Sequence, residues 1–202
     1  MNGRKYQTVR DAAWNTLTYC GVDRLPVDLN LVCKRLGIRV LSYQKGADII
    51  QQFKLEEIIS RTDGLSLYVG TQPLILFDDG LPPTRIRFTV AHEIGHIVLK
   101  HIVPGNARKL LREPQTTAAP EEIDANRFAA RLLAPACVLW GLDIHTPEKI
   151  AQLCHISSQA AQFRAARMDE LYHRNKFLLS PLEQAVYRQF LPFIKESSCH
   201  QE

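Results

Sequence analysis

The chain has 202 residues, 46% of them hydrophobic and 23% charged, with a formal net charge of +4. That length holds one sizeable core, or one core with a small appended subdomain, and the composition excludes disordered, fibrous and collagenous classes. The charge is unevenly spread: residues 81–119 carry six Lys or Arg against two acids, whereas residues 143–202 carry seven of each. Five scattered cysteines (Cys20, Cys33, Cys137, Cys154, Cys199), none paired as CxxC, read as reduced thiols rather than a disulfide framework. The opening MNGRKYQTVRDAAWNTL has no apolar signal-peptide core, and no uncharged apolar run reaches the ~18 residues of a membrane span. The expectation is a soluble, cytoplasmic protein.

Residues 6–36 predict two helices. TVRDAAWNTLTYCG carries Val9, Ala12, Ala13 and Leu17 at helical spacing and stops at Gly21; LPVDLNLVCKRLG starts near Pro26 and closes at Gly37. IRVLSYQ, GLSLYVG and PLILFDD predict three short strands, the last two joined by a tight turn. A helix then follows from Thr84, its expected cap, to a stop at Pro104-Gly105. NARKLLREPQTTAAP predicts a basic loop, and EEIDANRFAARLLAP a strong helix with acids in its first turn and a stop at Pro135. From Ala136 onward the pattern is mostly helical. The class is α+β with a small sheet, organised as a core over 1–135 and a helical subdomain over 136–202.

The chemistry sits in RFTVAHEIGHIVLKH, residues 87–101, which contains His-Glu-x-x-His as His92, Glu93 and His96. Positions four apart on a helix differ by only about 40°, so His92 and His96 point the same way, as two imidazoles on one metal must. Glu93 lies to one side, placed to take a proton rather than to ligate. A zinc ion held by two neutral imidazoles and a carboxylate lowers the pKa of water, and Glu93 then serves as general base for attack on a carbonyl. The rival reading is two histidines on an ordinary buried helix. Against it stands Gly95, a poor choice for a purely structural helix.

A third ligand is needed. The extended pattern HExxHxxGxxH fails, since the chain has Leu99 and Ile102 at the required positions. His101 falls about 180° around a continued helix from His92 and is expected to be a surface or helix-end residue. A glutamate on the following helix remains: Glu122 fits, with Asn126 one turn on, able to accept a hydrogen bond from the far nitrogen of a ligand histidine. Asp124 is the alternative ligand. Tyr68, Arg85 and His101 are all candidates for a second oxyanion donor, and spacing does not choose among them.

RIRFTVAHEIGHIVLKH followed by EEIDANRFAARLLAP, preceded by LPVDLNLVCKRLGIRV and DGLSLYV, resembles the ImmA/IrrE family of zinc metallopeptidases over about Leu25 to Leu171. The resemblance implies a zincin-like core with the HExxH helix, one zinc per chain, and His92, His96 and Glu122 as ligands with Glu93 as the catalytic base. It also implies intracellular cleavage of a helix-turn-helix transcriptional repressor, often one that governs a mobile element. Many relatives have glutamate where this chain has Asp124.

TPEKIAQLCHISSQAAQFRAARM, residues 146–168, has a helix-turn-helix look, with Gln159, Gln162, Arg164 and Arg167 as the residues that would face a DNA groove. The balanced charge of the whole tail, residues 143–202, argues against phosphate neutralisation, so DNA contact is not expected. The alternative to a peptidase is a non-catalytic regulator that binds a repressor or DNA through these helices.

Overall fold

A computed structural model describes residues 3–104 and 119–198; the basic loop around Arg108, Lys109 and Arg112, and Cys199, lie outside the described residues. The chain is α+β. Its elements are α1 (Gly3–Cys20), α2 (Leu29–Leu36), β1 (Arg39–Ser42), α3 (Ala47–Phe53), α4 (Glu56–Ile59), β2 (Gly64–Val69), β3 (Gln72–Phe77) and α5 (Pro83–Val98). They continue with α6 (Pro120–Leu133), α7 (Ala136–Gly141), α8 (Pro147–Cys154), α9 (Ser158–His173) and α10 (Pro181–Ser198). No helix among the described residues is long and apolar enough to cross a membrane. The three predicted strands are present, while α3 and α4 occupy a stretch with no predicted element. Packing divides the chain into two units, Cys33–Ala129 and Met1–Val32 with Ala130–Glu202.

Within Cys33–Ala129 the sheet order is β1-β3-β2, with β1 parallel and β2 antiparallel to β3. Alternation sorts the side chains of β2. Leu65 and Leu67 join Leu74, Leu76, Ile50 and Leu55 in a core on one face. Gly64 and Ser66 belong to the other face, which carries α5. A Cβ on Gly64 would stand 2.4 Å from Thr89 Cγ2, so glycine is what lets α5 lie this close to the strand. Gly95 plays the matching part on the far side of α5. Its missing Cβ would lie 3.1 Å from Phe128 Cδ1 and 3.3 Å from the Ala125 backbone, which brings α6 against the helix.

Both predicted ends of α5 need correction. Pro82 occupies the cap position with no side-chain hydrogen bond, and Pro83 begins the helix, so Thr84 lies inside the first turn. The helix ends at Val98, well before Pro104, because Lys100 adopts the left-handed conformation at φ 59.

The other unit is helical. α1 and α7 pack on α10, and α8 pairs with α9. Val9, Ala13 and Leu17 from α1 and Val186, Phe190 and Ile194 from α10 are buried, and Gln189 Nε2 donates to the Leu17 carbonyl at 2.9 Å. Thr146 and Ser157 cap α8 and α9 through their hydroxyls. Arg164 is not a groove-facing residue: it is buried and donates to the Ala134 carbonyl. Arg167 pairs with Glu170 on its own helix. Cys20, Cys33, Cys137 and Cys154 are buried thiols, and burial pushes the Cys137 thiol up to about 12.

Candidate metal centre

The one-turn spacing of α5 does what the helical period requires. His92 Nε2 and His96 Nε2 lie 2.9 Å apart, and the ring centroids 4.7 Å. Glu122, in the first turn of α6, meets both: its Oε2 is 3.1 Å from His92 Nε2 and its Oε1 3.3 Å from His96 Nε2. Among the described residues these three form the one group of His, Cys, Asp or Glu whose ligand atoms all lie within 4.8 Å of one another. Bond lengths of about 2.0–2.2 Å in a tetrahedral site put neighbouring ligand atoms roughly 3.3 Å apart. The observed separations match that spacing after adjustments of a few tenths of an ångström. A His₂Glu donor set suits zinc, and the residues fit the ion.

Asp124, the alternative ligand, is absent from this group. It is buried and lies 3.4 Å from Arg127 Nη1. Asn126 does reach the far side of His92: its Oδ1 stands 2.9 Å from His92 Nδ1. An amide oxygen only accepts, so the Nδ1–H donates and the lone pair is left at Nε2, where a ligand needs it.

Electrostatics couple the three groups. When the Nε2 atoms carry protons rather than an ion, hydrogen bonds from His92 and then His96 hold the Glu122 carboxyl far below the ordinary carboxylate value, against the opposing effect of burial. At His92 burial works to lower the pKa, but the hydrogen bond to Glu122 and the charges of Glu93 and Glu122 outweigh it and raise the value overall. A pocket that draws a proton in this way is one where a divalent cation can take the proton's place.

Glu93 is 7% exposed and accepts a 2.6 Å hydrogen bond at Oε2 from the Ser66 hydroxyl. Sequence reasoning missed Ser66, which is separated from Glu93 by 27 positions and becomes its neighbour only through the pairing of β2 with β3 and the packing of α5 on both. A cleft of about 500 Å³ opens over His92, Glu93, His96 and Glu122, with Gly64, Leu65 and Ser66 of β2 in its wall. Of the three candidate oxyanion donors, Arg85 lines this cleft, where it pairs with Asp63; Tyr68 and His101 are not among the described lining residues.

His101 is a helix-end residue outside the ligand group, as expected, but its ring turns back onto a ligand. The turn at Lys100 folds the chain back, and His101 Nδ1 lies 3.1 Å from His96 Nδ1. Burial, and then the neighbouring His96, lower the His101 pKa.

Two imidazoles from one helix and a carboxylate from the next, beside a buried glutamate under an edge strand, define the metallopeptidase class of site. The peptidase M78 model, described as the IrrE N-terminal-like domain, matches residues 33–166, and the chain belongs to this ImmA/IrrE family of peptidases. No curated relative matches the chain.

Proposed function

We propose that the protein is a single-zinc endopeptidase in which His92, His96 and Glu122 hold the ion and Glu93 is the general base. The carrying observation is the convergence of both Nε2 atoms on the Glu122 carboxylate, at 3.1 and 3.3 Å, beside Glu93 in one cleft. Zinc bound there would supply a Lewis acid that makes water a better nucleophile and polarises the scissile carbonyl. The chain's own residues do the rest. Ser66 occupies Glu93 Oε2, which leaves Oε1 to take the proton of the attacking water and hand it to the departing amine nitrogen. Asn126 keeps the His92 proton on Nδ1.

Among the described residues β2 pairs with β3 alone, so its outer edge is open for a substrate segment to add as a further strand above the ligands. Within Leu65 to Val69, the alternate residues whose N–H and C=O point away from β3 would be the donors and acceptors for that pairing. Family membership supports a helix-turn-helix transcriptional repressor as the substrate, met in the cytoplasm. Among the described residues, three observations weigh against the DNA-binding alternative: Arg164 is buried, Arg167 pairs with Glu170, and the exposed Gln159 and Gln162 of α9 carry no charge.

The test is cleavage of a repressor encoded beside this protein, followed by intact mass, with Glu93→Gln as the zinc-loaded control. Discrete cleavage by the wild type and none by the control is expected. A repressor left whole by the zinc-loaded wild type, yet retained on it, would favour the binding-protein reading.

A further inference from the structure

We infer that His101 is a positioning residue of the metal centre, holding the His96 ring through an Nδ1–Nδ1 hydrogen bond so that His96 Nε2 stays aimed at Glu122 and His92. This rests on the metal-centre reading and extends it outward from the ligands.

The cap of α5 makes the contact. Lys100 N–H donates to the Ile97 carbonyl at 3.1 Å, His101 N–H donates to the His96 carbonyl at 2.9 Å, and Lys100 is left-handed. That is the paired-bond helix ending in which the second residue past the cap lies over the third-from-last helical residue, ordinarily in an apolar contact. Here the contact is imidazole on imidazole, with ring centroids 5.0 Å apart at 72°. The hydrogen-bond inventory then fixes the proton. A metal at His96 needs its Nε2 bare, so His96 carries its proton on Nδ1 and donates it. His101 accepts at Nδ1 and keeps its own proton on Nε2.

Asn126 acts on His92 in the same sense, from the other helix. Both ligand rings are thereby held from behind, in one tautomer, by groups that never touch the ion. His96 is only 3% exposed, so bulk solvent is poorly placed to replace its partner.

The experiment measures Zn²⁺ affinity of the full chain by competition with a chromophoric chelator, in wild type, His101→Phe and His101→Gln. Phenylalanine fills the ring's place with no acceptor, whereas glutamine restores an acceptor oxygen. His101→Phe is expected to bind zinc about 10–100-fold more weakly, with His101→Gln recovering part of the loss. The visible absorption of the Co²⁺-substituted protein should shift in His101→Phe, while circular dichroism of the metal-free variants stays that of the wild type. If His101→Phe binds zinc as tightly as wild type with the same Co²⁺ spectrum, His101 is only a cap contact and the inference is overturned. Equal losses in both variants with altered circular dichroism also overturn it, since packing rather than the acceptor is then at work. A wild type that binds no zinc overturns the metal-centre reading and this inference together, a result distinct from the other two.

Discussion

Gly95→Ala separates helix propensity from helix approach. In the interior of a helix, alanine in place of glycine stabilises by about 0.5–1 kcal/mol through the unfolded chain and local propensity. At this position the new methyl would lie 3.1 Å from Phe128 Cδ1 and 3.3 Å from both Cα and O of Ala125. Phe128 is fully buried and Ala125 contributes backbone, so neither neighbour can swing away. α6 must retreat by a few tenths of an ångström, and overpacking of that kind costs about 1–3 kcal/mol. The net expectation is a loss of up to about 2 kcal/mol, read by urea denaturation of the metal-free protein. Glu122 rides on the same helix, so zinc affinity should fall with it. Stabilisation by the full propensity gain, with zinc affinity unchanged, would refute the close approach of α5 and α6.

Three further outcomes follow from the same geometry. Ser66→Ala should keep its zinc but lower kcat roughly tenfold or more, because a hydrogen bond to a charged group is worth about 1.5–3 kcal/mol; an unchanged kcat would remove Ser66 from the proton-transfer step. Lys100→Gly should stabilise the protein by about 1 kcal/mol by relieving a left-handed lysine, a gain readable in the same denaturation assay and absent if the cap is not formed. The pH dependence has a definite sign. The depressed Glu122 carboxyl contributes stability above the usual carboxylate pKa of about 4.3 that is lost as pH falls. His92, with its raised pKa, contributes below about 6.5 and loses that contribution as pH rises through its folded value. Melting of the metal-free protein should therefore show this pair's benefit between those limits, and the stabilisation added by zinc should grow from pH 6 to 8 as the proton leaves His92. A zinc effect that does not change with pH would contradict that coupling.

What could be read in the sequence is what rests on short-range periodicity. The juxtaposition of His92 and His96 needs only the helical repeat, and Glu122 with Asn126 needs one more helix whose acidic first turn marks its start. The first strand shows alternating β-branched and polar residues, and the other two are short apolar runs on either side of a turn. Other features depend on events no local pattern encodes. Ser66 meets Glu93 through strand pairing and helix packing, so no spacing rule reaches it. The contact of His101 with His96 depends on the helix ending at Lys100, and a lysine at φ 59 gives none of the warning that a glycine would. Charge normally implies exposure, so no pattern announces that Arg164 is buried with the Ala134 carbonyl as its partner. The short α3 and α4 carry too few turns to show a clear repeat.

The central claim is the metal itself, and elemental analysis of the purified protein addresses it most directly. About one zinc per chain in the wild type, sharply reduced in His92→Ala and in Glu122→Ala, is the predicted result. A wild type that holds no divalent metal after reconstitution with zinc, or variants that hold as much as the wild type, would contradict it.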